Sequence, residues 1–383
     1  MVMNLPEILW LLPLLITASV YSIYGVLALT LGNGSKSVAR KNTSYRPFVS
    51  ILIPSYNEQE IMQAKLENTI ETLYPQDRIE IVVMDSSSDS TPEIVNEFSR
   101  RYPFIKLIHE KERNGVANAL NKAYRAVTGD IVVRTDCDSR LNKHSISEIV
   151  SNFADPTIGA ATGRLIVLNK EMKELRYRTL QQRIQMAESK IDSTYIFQPF
   201  SAFRRELIRL IDPKSIADDA EVALNIRTQG YRAIYDPQAE FYEASPDKFA
   251  ERLKLKSRRA QGHIKLLLKN VRLCFNSKLS SYGLLVLPMN FFMIVISPLM
   301  MILIPSLFVL DLLTIRSFII LDSIGLVLLA CVALLRNKKM ISSIWTIMEL
   351  QYAQLIALKN LITGVEQHVW KKQESLRKHY VTQ

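Results

Sequence analysis

Two aspartates one residue apart, Asp136-Cys137-Asp138, end the apolar run Ile131-Val132-Val133-Arg134-Thr135. The run reads as a short buried strand that carries two carboxylates to its C-terminal end. Open α/β sheets bind ligands at that edge. Two carboxylates there suit a divalent cation that also takes phosphate oxygens, which is how Mg2+ is usually held. Three more polar clusters follow other runs: Pro54-Ser55-Tyr56-Asn57-Glu58, Asp85 through Thr91, and Ala217-Asp218-Asp219-Ala220-Glu221.

Placing these clusters together requires strands and helices in alternation. Residues 48–54, 79–84, 105–108 and 130–134 are apolar runs of strand length. Between them, 58–74, 91–101 and 115–127 carry helical spacing, and Ser90-Thr91-Pro92-Glu93 is a helix start with proline in the first turn. This βαβαβαβ order predicts an α/β, mostly parallel sheet with helices on both faces. No G-x-G-x-x-G follows the first strand and no G-x-x-x-x-G-K is present, so neither a dinucleotide fingerprint nor a P-loop is indicated.

The chain has 383 residues, 48% of them hydrophobic, with a net charge of +11. The apolar excess is local. Residues 5–31, 282–313 and 317–335 are almost free of charge, and each is long enough to cross a hydrocarbon core, which needs about 20 residues. The first has no basic region before it and too long an apolar stretch for a secretory signal, so it reads as a retained anchor. Lys36, Arg40, Lys41 and Arg46 follow it, and Arg336, Lys338 and Lys339 follow the third span. The positive-inside rule then makes this an integral membrane protein of the cell membrane with its globular part cytoplasmic. Residues 340–363 carry Glu349, Gln351, Gln354 and Lys359 and read as an interfacial or re-entrant helix before a basic tail.

The expected organisation is an anchor over 1–35, a cytoplasmic domain over 47–247, basic amphipathic helices over 248–280, two membrane helices over 281–339, and the interfacial segment with its tail over 340–383. Residues 248–278 hold ten Lys or Arg and one acidic residue, interleaved with Leu, Ile, Val and Phe. Such a stretch beside a membrane span is expected on anionic headgroups, and nucleic acid is not an expected partner. Neither Cys137, Cys274 and Cys331 nor the five histidines share metal-ligand spacing.

At this point a resemblance becomes specific. The segments VSILIPSYNE, EIVVMDSSSDST, NGVANALNKAYRAVTGDIVVRTDCDS, ADDAEVALNIRTQGYRAIYDPQAEFYE and KSRRAQGHI cover about 48–265 in order. Together they resemble a membrane-embedded family 2 glycosyltransferase of the GT-A (Rossmann-like) fold, inverting, related to polysaccharide synthases and lipid glycosyltransferases, with membrane helices before and after the domain.

The resemblance implies a nucleotide-sugar donor and Mg2+ or Mn2+. Asp138 would ligate the cation directly, with Asp136 on the ribose or a metal-bound water. Pro54, Tyr56, Glu58, Asp85 and Arg113 would form the nucleotide site. Asp85 would face a pyrimidine edge or ribose, Tyr56 would stack on the base, and Glu58 would bond the ribose. Asp219, beside Asp218 at a helix start, would be the general base. Arg258, Arg259 and Gln261, with Lys256 and Gly262, stand where processive relatives carry Q-x-x-R-W, and would contact the diphosphate or the acceptor. Gln198 to Arg204 would form part of the acceptor wall. No tryptophan is present in the Q-x-x-R-W position, and Val116 stands where relatives often have lysine after Asn-Gly. The expected activity is transfer of a sugar, from a UDP- rather than a GDP-sugar, to a lipid or lipid-linked acceptor at the cytoplasmic leaflet. The alternatives are a processive synthase extruding a β-linked polymer and a non-catalytic nucleotide-sugar-binding scaffold.

Overall fold

Strand β1 (Val49–Ser55) is covered on both faces, so its sequence is a continuous apolar run without alternation. It pairs in parallel with β2 (Ile79–Asp85) and β4 (Ile131–Arg134), and β2 pairs in parallel with β3 (Ile105–His109). The intervening helices α2 (Met62–Ile70), α3 (Thr91–Arg101) and α4 (Val116–Ala126) lie within the expected segments. The computed structural model describes residues 10–169, 172–246, 248–314, 339–365 and 377.

The second half departs from the parallel expectation. After β5 (Arg140–Leu141) and α5 (Ser145–Ser151) come β6 (Ile158–Val167) and the long helix α6 (Met172–Ile191). Strand β7 (Ser201–Arg204) then enters antiparallel between β4 and β6. It is followed by α7 (Asp218–Thr228) and β8 (Arg232–Glu243). The sheet order is β3-β2-β1-β4-β7-β6-β8-β5, with β6 and β8 parallel and β5 antiparallel to β8. The sheet is therefore mixed, with parallel pairings in the majority. Residues 201–204 join it as a strand, and only the part before them is left to line a cavity.

Two apolar layers sandwich the sheet. On one face Leu66 of α2, Val95 and Phe98 of α3 and Ile149 of α5 pack on Ile51, Val83 and Val133. On the other, Leu120 and Ala123 of α4 and Val222 and Ile226 of α7 pack on Leu52, Val82 and Val132. All four strand ends β1, β2, β4 and β8 thereby reach the same region with their C-terminal residues.

Helix α1 (Leu11–Thr30) and the helical run Tyr282–Leu310 are long and apolar enough to cross a membrane, by length and composition. The third expected span, 317–335, lies outside the described residues. The helix Lys339–Ile362 packs against the domain: Glu349 pairs with Lys256 at 3.1 Å, and Gln351 Nε2 donates to Tyr21 Oη of α1 at 2.7 Å.

The basic stretch corrects an expectation. Helix α8 (Phe249–Lys269) stops short of the expected end and gives way to short 3₁₀ turns. Its Arg252, Ser257, Gln261 and Ile264 are buried, so one face of it belongs to the protein interior and is not available to headgroups. Gly262 makes the close approach possible. A Cβ there would stand 2.8 Å from the backbone nitrogen of Ala217 and 2.9 Å from the carbonyl carbon of Ile216. Backbone cannot rotate away, so Gly262→Ala should lower stability by about 1–3 kcal/mol as an overpacked core does, despite alanine's better helix propensity. A thermal midpoint at or above wild type would show that α8 has room to move.

Candidate active site

The ends of β1, β4 and β8 and the starts of α4 and α7 open into one cavity of about 290 Å³. Ten of the residues assigned to the site from sequence line it, with Gln198, Pro199 and Lys256 beside them. Pro54, Tyr56 and Glu58 come from the β1 end, Arg113 from before α4, and Asp136 and Asp138 from the turn after β4. Asp218 and Asp219 come from the start of α7, and Arg258 and Arg259 from α8.

Asp85 and Gln261 do not line it. Asp85 is fully buried, and its carboxylate is already engaged. It accepts from Ser55 Oγ at 2.5 Å, from Ser87 Oγ at 2.5 Å and from Ser87 N at 3.0 Å, and His109 Nδ1 lies 2.9 Å away. Here it ties the β1, β2 and β3 ends together. Gln261 is also fully buried and donates to the Val365 carbonyl at 2.7 Å, holding α8 to the segment after the Lys339–Ile362 helix. Asp89 does what a helix cap does, accepting from Thr91 N at 3.0 Å.

The β1 loop is shaped by Asn57, whose φ of +54° is a left-handed conformation that asparagine tolerates. Its side chain accepts from Ser88 N at 2.9 Å, joining the loops after β1 and β2. The Arg113 guanidinium lies 3.5 Å from the centre of the Tyr56 ring. A flat cation on an aromatic face covers the place where a base would stack.

The two acidic elements are joined by a residue that the motifs did not single out. Arg134, the last residue of β4, is buried, with Nη1 2.6 Å from Asp218 Oδ2 and Nη2 3.3 Å from Asp136 Oδ1. The available signal was a charged residue closing an otherwise apolar strand, which needs partners once buried. Asp218 is thus held as an ion pair, while Asp219 is half-buried and, among the described residues, accepts only from its neighbour Ala220 N, at 2.8 Å. Burial pushes the Asp219 carboxyl up, and Arg134 pulls it partly back. A carboxylate with a raised proton affinity, facing a cavity at a helix start, can accept a proton from a bound hydroxyl.

Sequence reasoning also missed Arg377, placed with the basic tail. Its guanidinium is buried and forms a two-pronged pair with Glu58, and Nη1 donates to Asp138 Oδ2 at 2.8 Å. Glu243, at the end of β8, also faces the cavity, its carboxyl pushed up to about 7 by burial and by Asp138. Arg258 and Arg259 lie side by side, and burial together with the Arg259 charge pushes Arg258 down to about 10.

Among the described residues, no three His, Cys, Asp or Glu side chains converge as a metal site. Asp136 and Asp138 both line the cavity, and one or two carboxylates with phosphate oxygens are the donor set on which Mg2+ is usually held. A cation does rest at this edge, in the form of the Arg377 guanidinium on Asp138.

Removing Arg134 alone would leave the buried Asp218 charge without its partner. Arg134→Met should destabilise the fold by about 3–5 kcal/mol, and Arg134→Met/Asp218→Asn should recover most of that loss. Thermal unfolding of the single and double variants checks this, and additive losses would mean that the pair is not coupled.

Comparison with known proteins follows the same residues. The family described as Glycosyl transferase family 2 matches residues 50–211, and Glycosyl transferase family group 2 matches 131–335, more than half of the chain. A probable glycosyltransferase, YdaM, of Bacillus subtilis (strain 168) is 30% identical over 256 residues, covering 62% of this chain and 60% of its own. The poly-beta-1,6-N-acetyl-D-glucosamine synthase of Staphylococcus aureus (strain COL) is 27% identical over 232 residues, 58% of this chain and 56% of its own. The chain thus spans under two thirds of the length of these curated relatives. A solved mannosyltransferase, PcManGT from Pyrobaculum calidifontis, in complex with GDP-Man and Mn2+, is 28% identical with a TM-score of 0.77, over 93% of this chain and 98% of that one. The chain belongs to the family 2 glycosyltransferases.

Proposed function

We propose that this protein is a membrane-bound inverting glycosyltransferase that moves a sugar from a nucleotide sugar to a lipid or lipid-linked acceptor. Residues 47–247 serve as its catalytic domain on the cytoplasmic side. The observation that carries the acceptor reading is the composition of one cavity. Ile294 of the membrane-type run, Leu350 and Gln354 of the Lys339–Ile362 helix, and Leu255 of α8 line the same space as Asp219. An acceptor with an apolar chain can lie along that wall with its polar head at the carboxylate.

In this reading Asp219 takes the proton of the acceptor hydroxyl as the hydroxyl attacks the anomeric carbon from the side opposite the diphosphate. Arg134 pairs with Asp218 and holds the start of α7 against the β4 turn. Arg258 and Arg259 face the negative charge that develops on the departing diphosphate. Asp138 and Asp136 are the residues that would hold Mg2+ or Mn2+, which when bound supplies Lewis-acid charge for that same departure. Asp85, expected at a pyrimidine edge or ribose, does not line the cavity. PcManGT was solved with GDP-Man, so both donor classes belong in the assay.

Polymer synthesis is the second reading, favoured by the similarity to the poly-N-acetylglucosamine synthase. Against it, α8 offers no aromatic platform: Arg259-Ala260-Gln261-Gly262 contains no tryptophan.

Membranes bearing the protein, given labelled GDP- and UDP-sugars with Mn2+, should put label into the organic-solvent phase. Label in high-mass aqueous material would replace this reading with the polymer one. Asp219→Asn should lose transfer to a hydroxyl acceptor by at least about 100-fold while nucleotide binding stays within about twofold of wild type; a variant of equal activity would remove Asp219 from the mechanism. Because burial raises the Asp219 proton affinity, its base form is gained as pH rises through a value above the ordinary aspartate one. The acid limb of the rate profile should therefore lie above about pH 4, and a limb at or below that value would assign the base elsewhere.

A further inference from the structure

Lys65 is wholly buried on α2, one layer beneath the Asp136-Cys137-Asp138 turn. Its Nζ donates to Thr135 Oγ1 at 2.8 Å and to the Ser139 carbonyl. These two residues flank the turn on either side, and both are fully buried. No carboxylate among the described residues lies within ion-pair distance of the ammonium. One turn further along the same helix face, Asn68 exchanges two hydrogen bonds with the backbone of Leu141, at 2.8 and 3.0 Å. Helix α2 therefore grips the segment 135–141 at three points. The turn is closed from within by Ser139 N donating to the Asp136 carbonyl at 3.2 Å, and braced from the side by Ser139 Oγ on Glu243 at 2.6 Å.

A buried ammonium without a carboxylate partner is unfavourable for folding. A methionine of similar volume would avoid that cost but would take the donor from the buried Ser139 carbonyl and Thr135 Oγ1, a loss that opposes the gain. Stability therefore gives little net reason for a lysine at this position. What the lysine supplies is a fixed distance between the two ends of the acidic turn. We propose that Lys65 is a positioning residue for the cation-binding turn, holding Asp136 and Asp138 in the arrangement from which they bind a divalent cation together with the donor diphosphate. The inference rests on the reading of those two aspartates as the cation site.

The test uses the full chain in detergent with GDP or UDP, titrated with Mn2+ and followed by the electron paramagnetic resonance of the free ion. Wild type should bind Mn2+ in the presence of nucleotide, and Asp138→Ala should not. Lys65→Met should weaken Mn2+ binding by about tenfold or more, the scale seen when a residue that orients metal ligands is lost, with a thermal midpoint close to that of wild type, since the lost hydrogen bonds offset the relieved desolvation. Thr135→Val, which deletes one contact and leaves the charge in place, should weaken binding in the same direction by less. Unchanged binding in both variants overturns the proposal. So does tighter binding in Lys65→Met, because removing a cation beneath two carboxylates favours a second cation, and that result would make the lysine a charge and not a clamp. If Lys65→Met does not fold, Thr135→Val decides alone. Absence of Mn2+ binding in wild type itself would overturn the cation reading and this inference with it, whereas binding that Asp138→Ala abolishes and that Lys65→Met and Thr135→Val leave unchanged overturns the role of Lys65 alone.

Discussion

A single buried guanidinium holds the two acidic elements of the site in register. Arg134 ends β4 and reaches both Asp136, on its own strand-end turn, and Asp218, at the start of α7. Without it, carboxylates from two elements would converge in a poorly solvated space, where like charges repel and take up protons. With it, one partner is neutralised as a pair, and Asp219 beside it is left to face the cavity. The helix dipole at the start of α7 works in the same direction. The separation of roles between two adjacent aspartates thus follows from which of them the arginine reaches.

The sheet supplies the frame for this contact. Parallel strands β1, β2 and β4 end at one edge, and antiparallel β7 brings the chain back across β4 so that α7 can start beside the acidic turn. The membrane-type helices are tied into the same frame by a buried polar node. Glu188 of α6 accepts from Tyr24 Oη of α1 at 2.9 Å, from Asn290 Nδ2 at 2.6 Å and from Thr194 Oγ1 at 2.7 Å. Three separate parts of the chain meet on one carboxylate, which fixes how the catalytic sheet sits against the two apolar helices. The cavity wall formed by Ile294 and Leu350 depends on that seating.

The first half of the fold was legible because its signals are local. Apolar runs, a proline in the first turn of α3 and the Asn-Gly before α4 each mark an element within a few residues. The acidic motifs were legible for the same reason: Asp136, Asp138, Asp218 and Asp219 stand at strand ends or helix starts that the pattern itself locates. What was not legible depends on contacts between distant segments. Arg134 reads as an ordinary strand residue until α7 is placed beside it. Lys65 reads as a surface helix position until its helix is seen to lie beneath the β4 turn. The amphipathic pattern of α8 was read as a membrane face, whereas Gly262 and Ile264 pack it against the start of α7. Asp85 was assigned by analogy of position, and its contacts with Ser55, Ser87 and His109, which join the strand ends, come from segments that the pattern does not bring together.

Arg377 lies 319 positions along the chain from Glu58, yet it closes the same site. Tolerance to truncation and tagging concentrates at chain termini, and the basic stretch that holds Arg377 invites such an edit. In this protein that edit would remove a buried arginine from between Glu58 and Asp138 in the cavity. A shortened form could keep every recognised motif and the whole sheet, and still report the kinetics of an incomplete pocket.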